Sequence, residues 1–135
     1  MGELTPSENE WLIMEVLWNH EGAMTAAEII EEMKDTRSLN KNTIKVMINR
    51  LLGKKVIDYQ VDENDMRVYH YYPARSREEC LNLKSERFVK NYFGGNTSMA
   101  VASFLKSADI SREQLSVLKS IVEELEEKNR EDSEI

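Results

Sequence analysis

The sequence predicts a mainly α-helical fold with one small β-hairpin and a helical C-terminal region. Capped segments with helical apolar spacing occupy residues 5–54. Two runs rich in β-branched and aromatic residues then flank a polar turn within residues 56–73. Helical spacing returns from Ser76 onward. Three helices followed by a hairpin is the order of a winged helix-turn-helix, and the later helices would form a dimerisation region.

Bulk composition limits the class of protein. A length of 135 residues suits one domain, or one domain with an appendage. The chain is 41% hydrophobic and 32% charged, has no apolar run near the roughly 20 residues of a membrane span, and begins without a secretory pattern. Cys80 is the only cysteine, which excludes an intrachain disulfide. We therefore expect a cytoplasmic protein.

The first helix is predicted to begin at Thr5-Pro6. Thr5 can act as N-cap, Pro6 fits the first helical position, and Glu8 can close a capping box. Residues 11–18 are apolar except for Glu15, which predicts a mostly buried, central helix.

The second helix is predicted to begin at Thr25, again with a glutamate three residues later at Glu28. Ala27, Ile30 and Met33 form its expected apolar stripe, with Ile29 at the edge of that stripe. Acidic residues fill the other side of the helix, so the helix is expected to face away from DNA or to lie across it at one end only.

The third helix is predicted to run from a cap at Asn40 to about Lys54. Four of its residues recur at the spacing of a buried face: Ile44, Met47, Ile48 and Leu51. Four others share the opposite side, which lacks acidic groups: Asn42, Lys45, Val46 and Asn49. These residue types read base edges and bind phosphates, so we interpret that side as a DNA-reading face.

The charge pattern supports this interpretation. The chain carries a net charge of −7, yet seven basic residues between Lys34 and Lys55 oppose only Asp35, giving that stretch +6. A phosphate backbone is the commonest partner of such a cluster. Lys54 and Lys55 are expected to lead into the wing. The predicted DNA-binding residues are Lys41, Asn42, Thr43, Lys45, Val46, Asn49 and Arg50 of the third helix and Arg67 of the wing.

The hairpin is predicted from residues 56–61 and 66–73, joined by the polar turn at residues 62–65. Arg67 lies near its tip, where it is a candidate phosphate contact. The chain is expected to divide close behind the hairpin, into a DNA-binding domain at residues 1–75 and a helical dimerisation domain at residues 76–135.

Three helices are predicted in the C-terminal region. The first begins with a capping box at Ser76 and ends at Gly94-Gly95, and a short helix follows over residues 97–106. The last begins at Ser111 and is expected to fray after about Lys128. Its leucines and valine follow an a/d pattern, which suits either packing within the chain or a dimer seam. With few apolar partners nearby, we favour the dimer. The predicted dimerisation residues are Phe88, Tyr92, Phe104, Leu115, Leu118, Val122 and Leu125.

Several strings together resemble the BlaI/MecI/CopY family of bacterial transcriptional repressors, nearest its penicillinase repressor branch. They are residues 5–18, 25–30, 42–51, 54–58, 71–72 and 92–96, and the resemblance covers about residues 4–127. It implies a homodimer whose winged helices bind an inverted-repeat operator, with operator contacts at Asn42, Thr43, Lys45 and Val46. The third helix lacks the proline that the family often places where Lys41 stands.

The same resemblance implies a means of release. In the penicillinase branch a membrane sensor metalloprotease inactivates the repressor by cleavage in the C-terminal region. The matching bond here lies between Ser103 and Phe104, and Ser103 stands where well-known members have asparagine. The copper-responsive branch ends in paired cysteines, which this chain lacks.

The sequence offers no catalytic or metal constellation. Its two histidines are far apart, and it has one cysteine and no glycine-rich phosphate loop, so we predict neither an enzyme nor a cofactor. Two alternatives stay open. One is a winged-helix module that binds a basic protein through its acidic helices. The other is a DNA-binding protein controlled by a small molecule between the domains.

Overall fold

The computed structural model describes residues 5–36 and 39–133. In chain order the elements are α1 (Glu8–Asn19), β1 (Met24–Thr25), α2 (Ala26–Glu32), α3 (Lys41–Gly53), β2 (Ile57–Val61), β3 (Tyr69–Pro73), α4 (Arg77–Phe93), α5 (Thr97–Ser107) and α6 (Arg112–Ser133). The mainly helical fold and the hairpin wing are confirmed. The chain forms two compact units, Met1–Phe88 and Val89–Ile135.

The first unit is a winged helix-turn-helix built around one apolar core. Helices α1, α2 and α3 contribute Ile13, Met14, Leu17, Ile29 and Leu51, all buried. The strands form an antiparallel sheet of order β1-β3-β2, with Met24 opposite Tyr71 and Tyr59 opposite the same tyrosine from the other side. This core fixes α3 and the wing on one body.

Helix α1 begins two residues later than the sequence predicted. Ser7 is the N-cap: its hydroxyl accepts a hydrogen bond from the Glu10 amide at 3.2 Å, and the Glu10 carboxylate accepts one from the Ser7 amide at 3.2 Å. The expected cap at Thr5 with Glu8 is therefore wrong. Two overlapping Ser/Thr-x-x-Glu boxes occur there, and the Thr5 carbonyl instead accepts a bond from Lys54.

Helix α2 has the predicted capping box between Thr25 and Glu28. Its buried face differs from the prediction. Ile29, placed at the edge of the stripe, is fully buried, whereas Ala27 is exposed. Strand β1 ends at Thr25 and pairs with β3, which rotates this short helix so that Ile29 points into the core.

The start of α4 is held firmly against α1. The Arg77 guanidinium donates to Glu15 and lies 5.2 Å from the centre of the Trp18 ring, whose indole N–H donates to the Arg75 carbonyl at 3.0 Å. The bond from Arg77 lowers the pKa of Glu15. One turn further along, Cys80 is fully buried in the winged-helix core. The first turns of α4 thus belong structurally to the first unit.

The second unit contains the end of α4 and helices α5 and α6. Asn96 caps α5 by accepting from the Met99 amide at 3.0 Å, and Phe93 meets Phe104 edge-on at 6.2 Å. Helix α6 continues to Ser133, so the predicted fraying after Lys128 is wrong as a helix boundary. Of the five extra residues, Arg130 and Glu131 are good helix formers, whereas Asn129, Asp132 and Ser133 are weaker ones.

Candidate nucleic-acid interface

Helix α3 has the two faces that the sequence predicted. Asn40 caps it, accepting from the Thr43 amide at 2.8 Å and from the Thr43 hydroxyl at 3.0 Å. This cap fixes the start of the helix and therefore which residues turn inward. Ile44, Met47, Ile48 and Leu51 are buried. The residues left in solvent are Lys41, Asn42, Thr43, Lys45, Val46, Asn49 and Arg50.

The cations of α3 differ from Lys34 and Lys54 of the basic stretch, which form ion pairs. Lys41, Lys45 and Arg50 are exposed and form no ion pair within the described part of the chain. Lys34 instead pairs with Glu31 at 2.7 Å. Arg37 lies outside the described residues. The positive charge that remains available therefore lies on the exposed side of α3 and at Lys55, an exposed residue just beyond the helix.

Lys54 lies at the predicted lead into the wing, between α3 and β2, and has a structural role there. Its ammonium lies 2.6 Å from Glu10 Oε1 and donates to the Thr5 carbonyl at 3.0 Å. Only 3% of the Glu10 side chain and 21% of the Lys54 side chain are exposed. Burial raises the pKa of Glu10, but the bonds from Lys54 and Ser7 outweigh it, and the pKa is lowered.

Lys55 turns the chain from α3 into the wing. It has a φ of +61°, in the left-handed region that favours glycine. The Lys55 amide donates to the Leu52 carbonyl, and the Val56 amide reaches back to the Leu51 carbonyl at 3.2 Å, as in a Schellman helix end. This turn joins α3 to β2 with almost no linker, so the wing and the reading face are fixed together.

The wing tip is more acidic than its expected role suggests. Asp62, Glu63 and Asp65 face a single nearby cation, Arg67, whose side chain is 91% exposed. Arg67 Nε lies 3.1 Å from Asp65 Oδ1, and this bond lowers the pKa of Asp65. A phosphate bound by Arg67 would therefore compete with a carboxylate already in place.

Asp62 organises the turn of the wing. Its carboxylate accepts from the Asn64 amide at 3.0 Å and the Asp65 amide at 3.1 Å, and lies 2.8 Å from His70 Nε2. The His70 bond is the main cause of a lowered pKa at Asp62. His70 thus ties strand β3 to the turn.

A groove of about 320 Å³ runs between the first turn of α1 and the exposed side of α3. It is lined by Ser7, Asn9, Asn42, Thr43, Val46, Met47 and Arg50. Asn9 was not among the predicted site residues. It lies in the capped first turn of α1, and no local pattern marks it as a neighbour of α3.

The predicted dimerisation residues lie on α4, α5 and α6. Phe88, Tyr92 and Phe104 are exposed, and every described residue of α6 is exposed as well. The exposed seam of α6 consists of Leu115, Leu118, Val122 and Leu125. A single chain thus leaves the a/d seam in water, an arrangement that favours association.

The predicted cleavage bond lies within a helix. Ser103 and Phe104 are exposed residues of α5, and the Ser103 carbonyl accepts from the Ser107 hydroxyl at 2.9 Å. Proteolysis is commonest in exposed loop tips. Cleavage at this bond would require local opening of α5.

Within residues 5–36 and 39–133, no cluster of histidine, cysteine and acidic side chains could hold a metal ion. No helix in that same part of the chain is long and apolar enough to cross a bilayer.

Comparison with known proteins gives a consistent family. The family model described as penicillinase repressor matches residues 6–124. The penicillinase repressor of Bacillus licheniformis is 28% identical over 125 residues, covering 93% of this chain and 94% of that protein. The methicillin resistance regulatory protein MecI of Staphylococcus aureus (strain N315) is 27% identical over 116 residues, covering 86% and 91%. The solution structure of the DNA binding domain of the repressor BlaI aligns with a TM-score of 0.48 at 27% identity, covering 58% of this chain and 93% of that one.

Proposed function

Because this chain belongs to the penicillinase repressor family, we propose that it represses transcription as a homodimer bound to an inverted-repeat DNA operator. Family membership makes the chain a DNA-binding transcriptional repressor, a class that is not enzymatic. Each α3 would enter a major groove, and each wing would touch the flanking backbone. The protein would act in the cytoplasm.

The observation that carries the proposal is the exposed side of α3. Asn42 and Asn49 offer paired donors and acceptors of the kind that read adenine, and Val46 offers an apolar contact for a thymine methyl. Lys41, Lys45 and Arg50 supply exposed cations for phosphates. In a chain of net charge −7, this local arrangement orients the protein with α3 towards the duplex.

The exposed polar and basic side of α3 and the exposed apolar seam of α6 suit two different functions. Residues 1–75 would read DNA, and residues 76–135 would form the dimer. The exposed apolar seam of α6, centred on Leu118, supports the second assignment, since pairing it with its copy removes it from water. Two-fold symmetry would then hold the reading helices about 34–36 Å apart, for half-sites one turn apart.

Release of the operator would come from proteolysis between Ser103 and Phe104 by a membrane sensor metalloprotease. This part of the proposal rests on the sequence resemblance. The helical setting of the bond in α5 adds a requirement, because the protease must first unwind the helix around Ser103. A membrane metalloprotease gene beside the gene for this chain would support it.

A salt titration of DNA binding tests the proposal. The wild-type chain should retard duplex fragments of its own genome at low salt. Lys45→Ala should reduce the slope of log K against log salt by about one unit for each lost phosphate contact, about two units per dimer. Arg67→Ala should reduce the slope less, because Arg67 is already bonded to Asp65. Lys128→Ala, an exposed lysine near the end of α6, is the matched control and should leave the slope unchanged. Failure of the wild-type chain to retard any fragment would favour a protein-interaction module.

A further inference from the structure

One face of the wing carries exposed tyrosines where strands β2 and β3 extend past the apolar core. The strand register places Tyr59 opposite Tyr71 and Val61 opposite Tyr69, so these four side chains share a face with Ile57. Ile57 and Tyr71 are buried, whereas Tyr59 and Tyr69 are 39% and 38% exposed. The face therefore begins in the core and continues into solvent.

The two exposed tyrosines are held in place by each other. Their rings stack with centroids 4.4 Å apart and planes 24° from parallel. The Tyr71 ring lies beside both of them on the core side, and its centroid is 6.3 Å from the centroid of each ring. Neither the Tyr59 nor the Tyr69 hydroxyl has a hydrogen-bond partner within the described residues. The result is a rigid pair of phenols whose polar ends are available to a ligand.

The location of this face connects it with α3. Ile57 and Tyr71, at its inner end, pack in the same core as Ile48 and Leu51 of α3. The exposed outer end thus continues from the side of the sheet that faces the core shared by α1, α2 and α3. Because only three residues join α3 to β2, we expect a duplex bound to the exposed side of α3 to reach the wing.

The charges nearby favour an uncharged contact there. The turn beyond Val61 carries Asp62, Glu63 and Asp65, and the guanidinium of Arg67 is already bonded to Asp65. Such a tip attracts phosphate weakly. A phenol O–H can still donate to a phosphate oxygen, and tyrosine is among the side chains that bind DNA backbones in this way.

We propose that Tyr59 and Tyr69 bind the DNA sugar–phosphate backbone beside α3 through their hydroxyl groups. The proposal rests on the proposed function and adds two residues to its interface. Because these donors are neutral, they release no counterions on binding. They increase the affinity for DNA and fix the position of the protein along the duplex, without changing the salt dependence of binding.

The test uses conservative substitutions that keep the rings. The full chain, Tyr59→Phe, Tyr69→Phe and the double variant are titrated by fluorescence anisotropy onto one duplex that the wild-type chain binds, between 50 and 200 mM salt. Each single change removes one hydrogen bond per protomer, two per dimer, so it should weaken binding about 25-fold, and the double change should weaken it roughly 600-fold. The slope against salt should equal that of the wild-type chain.

Tyr72→Phe is the matched control. Tyr72 pairs with Asp58 on the opposite face of the same hairpin, so its loss of a hydroxyl should leave affinity unchanged. Thermal melts of all variants show whether the fold is kept. Lys45→Ala is measured on the same duplex, because it reports on α3 alone.

Each outcome decides between the two proposals. If the wild-type chain binds no duplex, the proposed function fails. If the wild-type chain binds and Lys45→Ala flattens the slope, but the double tyrosine variant binds as tightly as wild type, the tyrosine contact is wrong. An equal loss in Tyr72→Phe, or a reduced slope in the tyrosine variants, would also overturn it.

Discussion

Replacing Lys54 with methionine should destabilise the winged-helix unit far more than its partly exposed position suggests. The change keeps most of the side-chain length but leaves the Glu10 carboxylate, only 3% exposed, without its ammonium partner at 2.6 Å. Removing one member of a buried ion pair costs about 3–5 kcal/mol. Because Lys54 keeps some contact with water, we expect about 3 kcal/mol at pH 7, at the lower end of that range.

The loss should depend on pH in a definite direction. In the wild-type chain the pKa of Glu10 is lowered, so its contribution to stability is present above its unfolded-state pKa and disappears as the pH falls through the folded-state value. In Lys54→Met, burial is opposed only by the bonds from Ser7, so the pKa should rise. The variant then gains a proton more easily, and the difference from wild type should shrink as the pH is lowered.

Urea unfolding followed by tryptophan fluorescence measures this effect. Trp11 and Trp18 both lie in α1, so the signal reports the first unit. Lys34→Met is the matched control, because the Lys34–Glu31 pair has a similar length of 2.7 Å but is 61% and 71% exposed. That variant should unfold at the wild-type urea concentration. Adding Glu10→Gln to Lys54→Met should recover part of the loss. Equal midpoints for the Lys54 and Lys34 variants would refute the reasoning.

Three further predictions concern other parts of the chain. Leu118→Asp places a charge in the exposed α6 seam, and sedimentation should then show monomers with weak operator affinity; a persistent dimer would mean that the seam is misassigned. Ile29→Ala should cost about 2–5 kcal/mol of unfolding free energy from a fully buried site. A matched change at exposed Ala27, to serine, should have little effect, and similar losses at both would contradict the burial pattern. His70→Ala should raise the pKa of Asp62 towards its ordinary value, because the His70 bond is the main cause of the lowered pKa. Carboxyl NMR measures this pKa, and an unchanged value would show that the His70 bond does not lower it.

Local signals were sufficient for the presence and order of the helices and for the two faces of α3, although not for the cap of α1, the buried face of α2 or the end of α6. Asn40 and the spacing of Ile44, Met47, Ile48 and Leu51 are all contained within 12 residues, and helix capping and amphipathic periodicity depend on such short-range information. The hairpin was predictable for the same reason, since its two strands are adjacent in the chain and separated by a polar turn.

Contacts between distant residues were not predictable from local patterns. Strand β1 has two residues and exists only because Met24 and Thr25 pair with β3 more than 40 positions away. Glu10 and Lys54 are 44 positions apart, so the basic stretch gave no sign that one of its lysines is used internally. Local patterns could not reveal Asn9 or the tyrosine face either, because their positions depend on how α1, α3 and the wing pack together.

The central claim is that two copies of α3 read an inverted repeat. A hydroxyl-radical footprint of the full chain, on a duplex enriched by its binding from a random-sequence pool, tests this most directly. We predict two protected half-sites related by two-fold symmetry, with centres about 10–10.5 base pairs apart or at a multiple of that spacing. Lys45→Ala should weaken both half-sites equally. A single protected segment without symmetry, or no enriched sequence at all, would contradict the account.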